Sequence, residues 1–181
     1  MIDYNLLNES IIHYTDCGYT RIETPWLVTD YVDAITRPKT AIKYHIPNKN
    51  KNFIASGEQG FLYLYLKQYL PKGKFQTLTP CLRNDPFDFT HTKYFMKNEL
   101  IITDDVSDSS LDSMINHALE FFRTYVSKSV VPLKTNDGYD LMLDNIELGS
   151  YGIRKCEFLT WIYGTGCAEP RTSNLITHGI S

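Results

Sequence analysis

The chain has few of the features that mark a secreted, membrane-bound or metal-stapled protein. Its four cysteines, at positions 17, 81, 156 and 167, form no CxxC pair and have no histidine nearby at zinc spacing. That argues against structural zinc and leaves reduced, mostly buried thiols as the expected state. No apolar run approaches the roughly 18 residues of a membrane span, and Met1-Ile2-Asp3-Tyr4-Asn5 lacks the basic and apolar regions of a signal peptide. The expectation is a cytoplasmic protein with no membrane partner. Positive charge is also scarce, with 18 Lys and Arg against 21 Asp and Glu and a net charge of -3. A broad basic surface for nucleic acid is therefore not expected, although a local basic patch stays open. Repeats, low-complexity tracts and long linkers are all missing, so the 181 residues read as one well-buried unit.

What is present is ordinary for a globular protein: 43% hydrophobic and 22% charged residues. The 13 Tyr and 9 Phe serve either core packing or a stacking surface. Residues 5–17 place Leu6, Leu7, Ile11, Ile12 and Tyr14 on one helical face, and Gly18 stops that helix. A strand-like run from Tyr19 to Val28 is interrupted at Pro25, which suits an edge or an interface. Lys39–Ser56 reads as a hairpin with its turn at 47–52, and Gln59–Tyr69 as an amphipathic helix. Phe75–Asn84 and Tyr94–Thr103 are strands joined by an oversized polar loop, itself a hint of function. Ser107–Lys128 is the longest helix. Strands at Tyr139–Leu143, Asn145–Ser150 and Lys155–Tyr163, a glycine turn and a short helix at Ala168–His178 close the chain. This order predicts an α+β fold, an antiparallel sheet flanked by helices.

Three patches carry chemistry. In Cys81-Leu82-Arg83-Asn84-Asp85, followed by Asp88, Thr90-His91, Phe95 and Glu99, an arginine ends a strand and faces a polar loop. A guanidinium there can clamp a phosphate bidentately, and an aromatic on the returning strand can stack on a purine. In Gly164-Thr165-Gly166-Cys167-Ala168-Glu169-Pro170-Arg171, small residues at 164, 166 and 168 are expected to let backbone approach a flat ligand. Arg171 would follow at a helix N-terminus, where anions are favoured. In Glu147-Leu148-Gly149-Ser150, a carboxylate and a hydroxyl at a strand end can offer oxygen ligands to Mg²⁺. Each patch alone has a plainer reading, as a surface ion pair, a core aromatic, a glycine turn or a solvated glutamate.

Together, their order and spacing resemble the three signature motifs of class II aminoacyl-tRNA synthetases. Gly18–Leu27 resembles motif 1, the family's dimer-forming element. Arg83, Asp85, the long loop and Phe95 resemble motif 2, with the run through His91 and Glu99 nearest to phenylalanyl-tRNA synthetase α-subunits. Gly164–Arg171 resembles motif 3, the Glu147 patch resembles a metal-ATP segment, and Ser56-Gly57-Glu58 is similar to a loop that grips the substrate amine. The likeness runs from about residue 5 to residue 176. It departs from the family pattern at Asp85, usually Glu, at Ala168 in place of a third glycine, and at Pro170 in place of an acidic residue. It implies one synthetase-like catalytic domain over 1–181, without an anticodon-binding domain.

The resemblance also implies roles. Arg83 and Arg171 would be catalytic. Arg83, Asp85, His91, Phe95, Gly164, Gly166 and Arg171 would bind ATP, with Phe95 and Arg171 sandwiching adenine. Glu58 and Glu99 would hold a substrate amine, and Glu147 with Ser150 would hold Mg²⁺. The implied activity is ATP-dependent activation of an amino acid, or a related small carboxylate, as its adenylate. The acyl group would pass to tRNA, a carrier protein or another acceptor, with a homodimer as the working form. Two alternatives stand beside it: a non-catalytic paralogue sensing an amino acid or tRNA, and an amide ligase of the asparagine synthetase A kind.

Overall fold

Two apolar faces back to back on one sheet organise the chain. The computed structural model describes residues 1–37, 41–84, 92–126 and 129–177. Five helices are present among them: α1 (Tyr4–Asp16), α2 (Asp30–Thr36), α3 (Gly57–Leu66), α4 (Asp108–Tyr125) and α5 (Arg171–Thr177). The ten strands are β1 (Thr20–Arg21), β2 (Leu27–Val28), β3 (His45–Ile46), β4 (Lys51–Phe53), β5 (Lys74–Leu82), β6 (Tyr94–Ile102), β7 (Val130–Lys134), β8 (Tyr139–Leu143), β9 (Ile146–Lys155) and β10 (Thr160–Glu169). A seven-stranded sheet runs in the order β1-β5-β6-β10-β9-β8-β7, and β2-β4-β3 make a small second sheet. Every pairing is antiparallel except β1 with β5 at one edge, so the α+β expectation holds.

The helices start where the chain offers caps. Asp3 accepts hydrogen bonds from the Asn5 and Leu6 amides, Ser56 from Glu58 and Ser107 from Ser110, each satisfying an orphan donor of a first turn. On the back of the sheet, α1 and α4 bury Leu7, Tyr14, Met114, Ala118 and Phe122 against Leu100, Ile102, Leu148, Ile162 and Cys167. A polar bridge crosses this core: Gln76 Nε2 donates to Ile11 O and Thr15 Oγ1, both at 3.0 Å. On the front, Val32, Phe61 and Leu62 pack on Phe75, Ile101 and Trp161 and cover only part of the sheet. The uncovered part holds the site.

Several expectations need correction. Ile12 is exposed, since α1 turns it away from the sheet. The run 19–28 is no continuous strand: it breaks into β1 and β2 around Pro25, each two residues long. The segment 146–155 is one long strand, and the expected turn at Gly164–Ala168 is part of β10, which extends to Glu169. The last helix accordingly begins at Arg171, after a cis Glu169–Pro170 bond. Two elements had no expectation behind them, α2 and the edge strand β7. Strand β7 tolerates Pro132 because an edge needs fewer ladder donors.

Candidate functional site

Period-two alternation puts Phe95, Lys97 and Glu99 of β6 on the front face while Asn98, Leu100 and Ile102 point back. Neighbouring β10 contributes Tyr163 and Thr165, and β9 contributes Ser150 and Arg154. With Arg83 at the end of β5, Glu58 at the start of α3 and Arg171 at the start of α5, they surround a cavity of about 690 Å³.

Two β-bulges determine which residues reach it. In β10, Thr165 faces Glu99 and Cys167 faces Asn98, so Gly166 is an extra residue. In β9, Gly149 faces Leu141 and Glu147 faces Met142, so Leu148 is extra. An extra residue shifts the alternation by one. Thr165 and Ala168, three apart, therefore both line the cavity, and so do Glu147 and Ser150. Glu147, at the start of β9, and Ser150, within it, thus both line the cavity.

Arg83 is half-buried. Its Nε donates to Ala55 O at 2.9 Å, and its guanidinium lies over the Phe95 ring, 5.1 Å from the centroid. Arg171 Nη1 donates to Glu147 O at 3.1 Å and Oε1 at 3.3 Å. One face of Phe95 thus lies against Arg83, while Arg171 sits against the Glu147 carboxylate. Asp85 and His91 lie outside the described residues.

Gly164 and Gly166 are where the reading of the glycines needs correction. A Cβ on Gly164 would stand 2.4 Å from Met114 Sδ and 2.7 Å from Tyr151 Cδ1. One on Gly166 would stand 2.9 Å from Tyr14 Cε2. Both hydrogens point to the helices on the back, so these glycines admit α1, α4 and Tyr151 close to the sheet and do not line the cavity.

Glu58 and Glu99 are both buried in the cavity wall and both already engaged. Glu58 accepts from Arg154 Nη1 at 2.5 Å and from Trp161 Nε1 at 2.7 Å. Burial pushes its carboxyl above the usual range, and the Arg154 charge pulls it part of the way back. Glu99 accepts from Ser56 Oγ at 2.6 Å and Lys97 Nζ at 2.7 Å. Glu169, also buried at the cavity, accepts from the amides of Asp3 at 3.0 Å and Ser173 at 2.8 Å, which caps α5 and ties down the N-terminus. Its carboxyl is likewise raised by burial.

Sequence reading missed Arg154, Lys97 and Tyr163 as cavity residues. Lys97 had a visible signal, lying between Phe95 and Glu99 in a period-two row. Arg154 had none, because its partner Glu58 is 96 residues away. For a metal, no group of three or more His, Cys, Asp or Glu side chains gathers among the described residues. Glu147 and Ser150, with Asp140 directly across the ladder from Ser150, offer hard oxygen ligands of the number Mg²⁺ takes from protein when phosphates supply the rest. Burial raises the Asp140 carboxyl, and the Ser150 hydroxyl counters this. No helix among the described residues is long and apolar enough to cross a membrane.

The architecture is that of class II aminoacyl-tRNA synthetase catalytic domains. Seryl-tRNA synthetase of Pyrococcus horikoshii, solved with ATP, superposes with a TM-score of 0.76 at 15% identity over 96% of this chain and 49% of that one. The cytoplasmic serine-tRNA ligase of Naegleria fowleri, solved with AMP, gives 0.71 at 19% identity over 93% of this chain and 52% of that one. A pyrrolysyl-tRNA synthetase of Desulfitobacterium hafniense gives 0.71 at 17% identity over 97% and 69%. The chain spans about half the length of the two seryl enzymes. No family model matches it. Quinolinate synthase of Clostridioides difficile (strain 630) is 30% identical over 95 residues, covering 49% of this chain and 31% of that protein.

Proposed function

We propose that the protein activates an amino acid, or a related small carboxylate, as its adenylate at the expense of ATP. The observation that carries this reading is the convergence of Arg83, Phe95, Arg171, Glu58 and Glu99 on one cavity. Their fold is shared with synthetases solved with ATP and AMP. In the reaction a carboxylate oxygen attacks the α-phosphorus, the new O–P bond forms, and pyrophosphate departs with the electrons of the broken P–O bond. The protein needs no nucleophile, only positioning and charge stabilisation. Arg83, its Nε anchored on Ala55 O, would direct its Nη groups at the α-phosphate. Phe95 supplies an aromatic face for adenine, with Arg171 across the cavity. Glu58 and Glu99 hold the substrate ammonium through lone pairs their present partners leave open. Mg²⁺ held by Glu147, Ser150 and the phosphates would neutralise triphosphate charge.

The acceptor that follows is tRNA, a carrier protein or another amine. Asp85 and His91 are assigned to the nucleotide on the motif 2 resemblance alone. The test is calorimetry with Mg²⁺-ATP together with pyrophosphate exchange across the twenty amino acids. Nucleotide binding and exchange with at least one of them are expected. Binding without exchange would favour a sensing paralogue, and neither would remove the nucleotide reading. We also place a dimer contact around Trp26, which is 51% exposed on the motif 1-like segment. Light scattering at micromolar concentration should give twice the chain mass.

A further inference from the structure

Two of the arginine–carboxylate pairs at the cavity are finished to different degrees. In the buried pair Asp33–Arg37, Nε meets both carboxylate oxygens at 2.8 and 2.9 Å, Nη1 donates to Ile42 O at 3.2 Å and Nη2 to Phe53 O at 3.0 Å. Every nitrogen of that guanidinium has an acceptor, as a structural pair requires. In Glu58–Arg154 only Nη1 is used. Arg154 Nε and Nη2 meet no acceptor among the described residues. The group is nevertheless held rigidly, its guanidinium carbon 3.8 Å from the Tyr163 ring centroid, with 38% of the side chain exposed at the cavity wall. Glu58 is the complement: each of its oxygens already has a strong donor.

This end of the cavity wall therefore offers unused cationic donors in a plane fixed by Tyr163, beside carboxylates that are partly used. A ligand group that fits is an acceptor with two coplanar oxygens, because guanidinium binds carboxylate through two parallel N–H···O bonds. The remaining walls reinforce the choice. Ser56, Lys97, Glu99 and Thr165 are polar, and the aliphatic part of the lining is small beside them: Ala41, Ile42, Ala55, Ala168 and Pro170. A bulky apolar side chain would strand these groups without water or partner. We propose that the acid activated here is dicarboxylic, an acidic amino acid whose distal carboxylate is bound by Arg154, which makes Arg154 the residue that sets substrate class. This rests on the adenylate-forming reading for the fate of the other carboxylate.

The experiment compares L-aspartate and L-glutamate with L-asparagine and L-glutamine, amides of matched size that replace one oxyanion by an NH₂ donor. Binding to the full chain is measured by calorimetry with and without Mg²⁺-ATP. An acid is expected to bind at least about tenfold more tightly than its amide, the scale of a charge-assisted hydrogen bond. Arg154→Met, which keeps a long side chain against Tyr163, should erase that preference, and Arg154→Lys should restore part of it. Melting temperatures report whether each variant folds. Equal or tighter binding of the amides to the wild type would overturn the proposal, as would failure of either acid to bind at millimolar concentration. The same holds if Arg154→Met keeps the preference. Loss of the adenylate reading has a different signature: acid preference without ATP, but no ATP binding and no exchange.

Discussion

On the back of the central sheet, Leu100, Ile102, Ile162 and Cys167 meet three helices in a closed apolar core. On the front of the same strands, Phe95, Lys97, Glu99, Tyr163 and Thr165 face an open cavity. The two faces share every backbone hydrogen bond of the ladder, so their difference is entirely one of side chains. The back is organised by shape, with two glycines whose missing methyl groups let Met114, Tyr151 and Tyr14 touch the sheet. The front is organised by charge: Arg83, Arg154, Lys97 and Arg171 lie among Glu58, Glu99, Glu147 and Glu169. A face built by shape contributes stability, whereas a face built by opposed charges contributes little, since buried ion pairs are weak sources of stability.

Substitutions on each face should therefore separate activity from folding. The largest effect is expected at Arg83→Ala. Losing a donor aimed at the α-phosphate should slow pyrophosphate exchange about 10²–10³-fold. The melting temperature should barely move, because one hydrogen bond to Ala55 O contributes only about 1 kcal/mol. A variant with wild-type exchange would break the assignment of the front face. Next is Gly164→Ala on the back, whose new methyl group must displace Met114 and Tyr151. A loss of about 1–3 kcal/mol in denaturant titration is expected, the range for overpacking. The substrate preference of the folded protein should stay as it was, because the methyl group points away from the cavity.

The smallest effect sharpens the comparison from within the back face. His117 on α4 packs edge-on to Tyr19, its Nδ1 is buried with no hydrogen-bond partner among the described residues, and burial lowers its pKa. A base whose pKa is lower in the folded state than unfolded binds fewer protons when folded, so stability rises with pH. The loss begins as pH falls through the unfolded value of about 6.5 and levels off below the folded one. Between pH 7.5 and 5.5 the wild type should lose more melting temperature than His117→Gln. The carboxylates that titrate on the front are common to both proteins and cancel. Equal losses would show that His117 is not strained by its surroundings.

How much of this was legible follows from the range of each interaction. The helices were read from local periodicity and caps, and β5 and β6 from their apolar runs. The row Phe95, Lys97, Glu99 is visible to anyone counting by two. The stretch 164–168 was misread because glycine within a strand carries the same local sign as glycine in a turn. What distinguishes them is Tyr14, Met114 and Tyr151, which arrive from elsewhere in the chain. Helix α2 carries a cap at Thr29 and acids at Asp30 and Asp33, but its seven residues give too little period to detect. Arg154 was beyond local reading altogether, as its meaning comes from Glu58 and from the ring of Tyr163.

The paired bulges at Gly166 and Leu148 are where the parity rule of these two strands is relaxed. A strand keeps its phase only when residues are added or removed in twos. Here one supernumerary residue in each of two adjacent strands converts an odd interval, 165 to 168 or 147 to 150, into a shared direction. Removing a single residue from either interval would leave the ladder free to close and the sheet free to form. The bulge would be lost and the strand would return to plain alternation, with Ala168 or Glu147 still facing the cavity. A single residue can therefore be lost at either bulge without reversing the faces, whereas one added or lost elsewhere in these strands would exchange inside for outside.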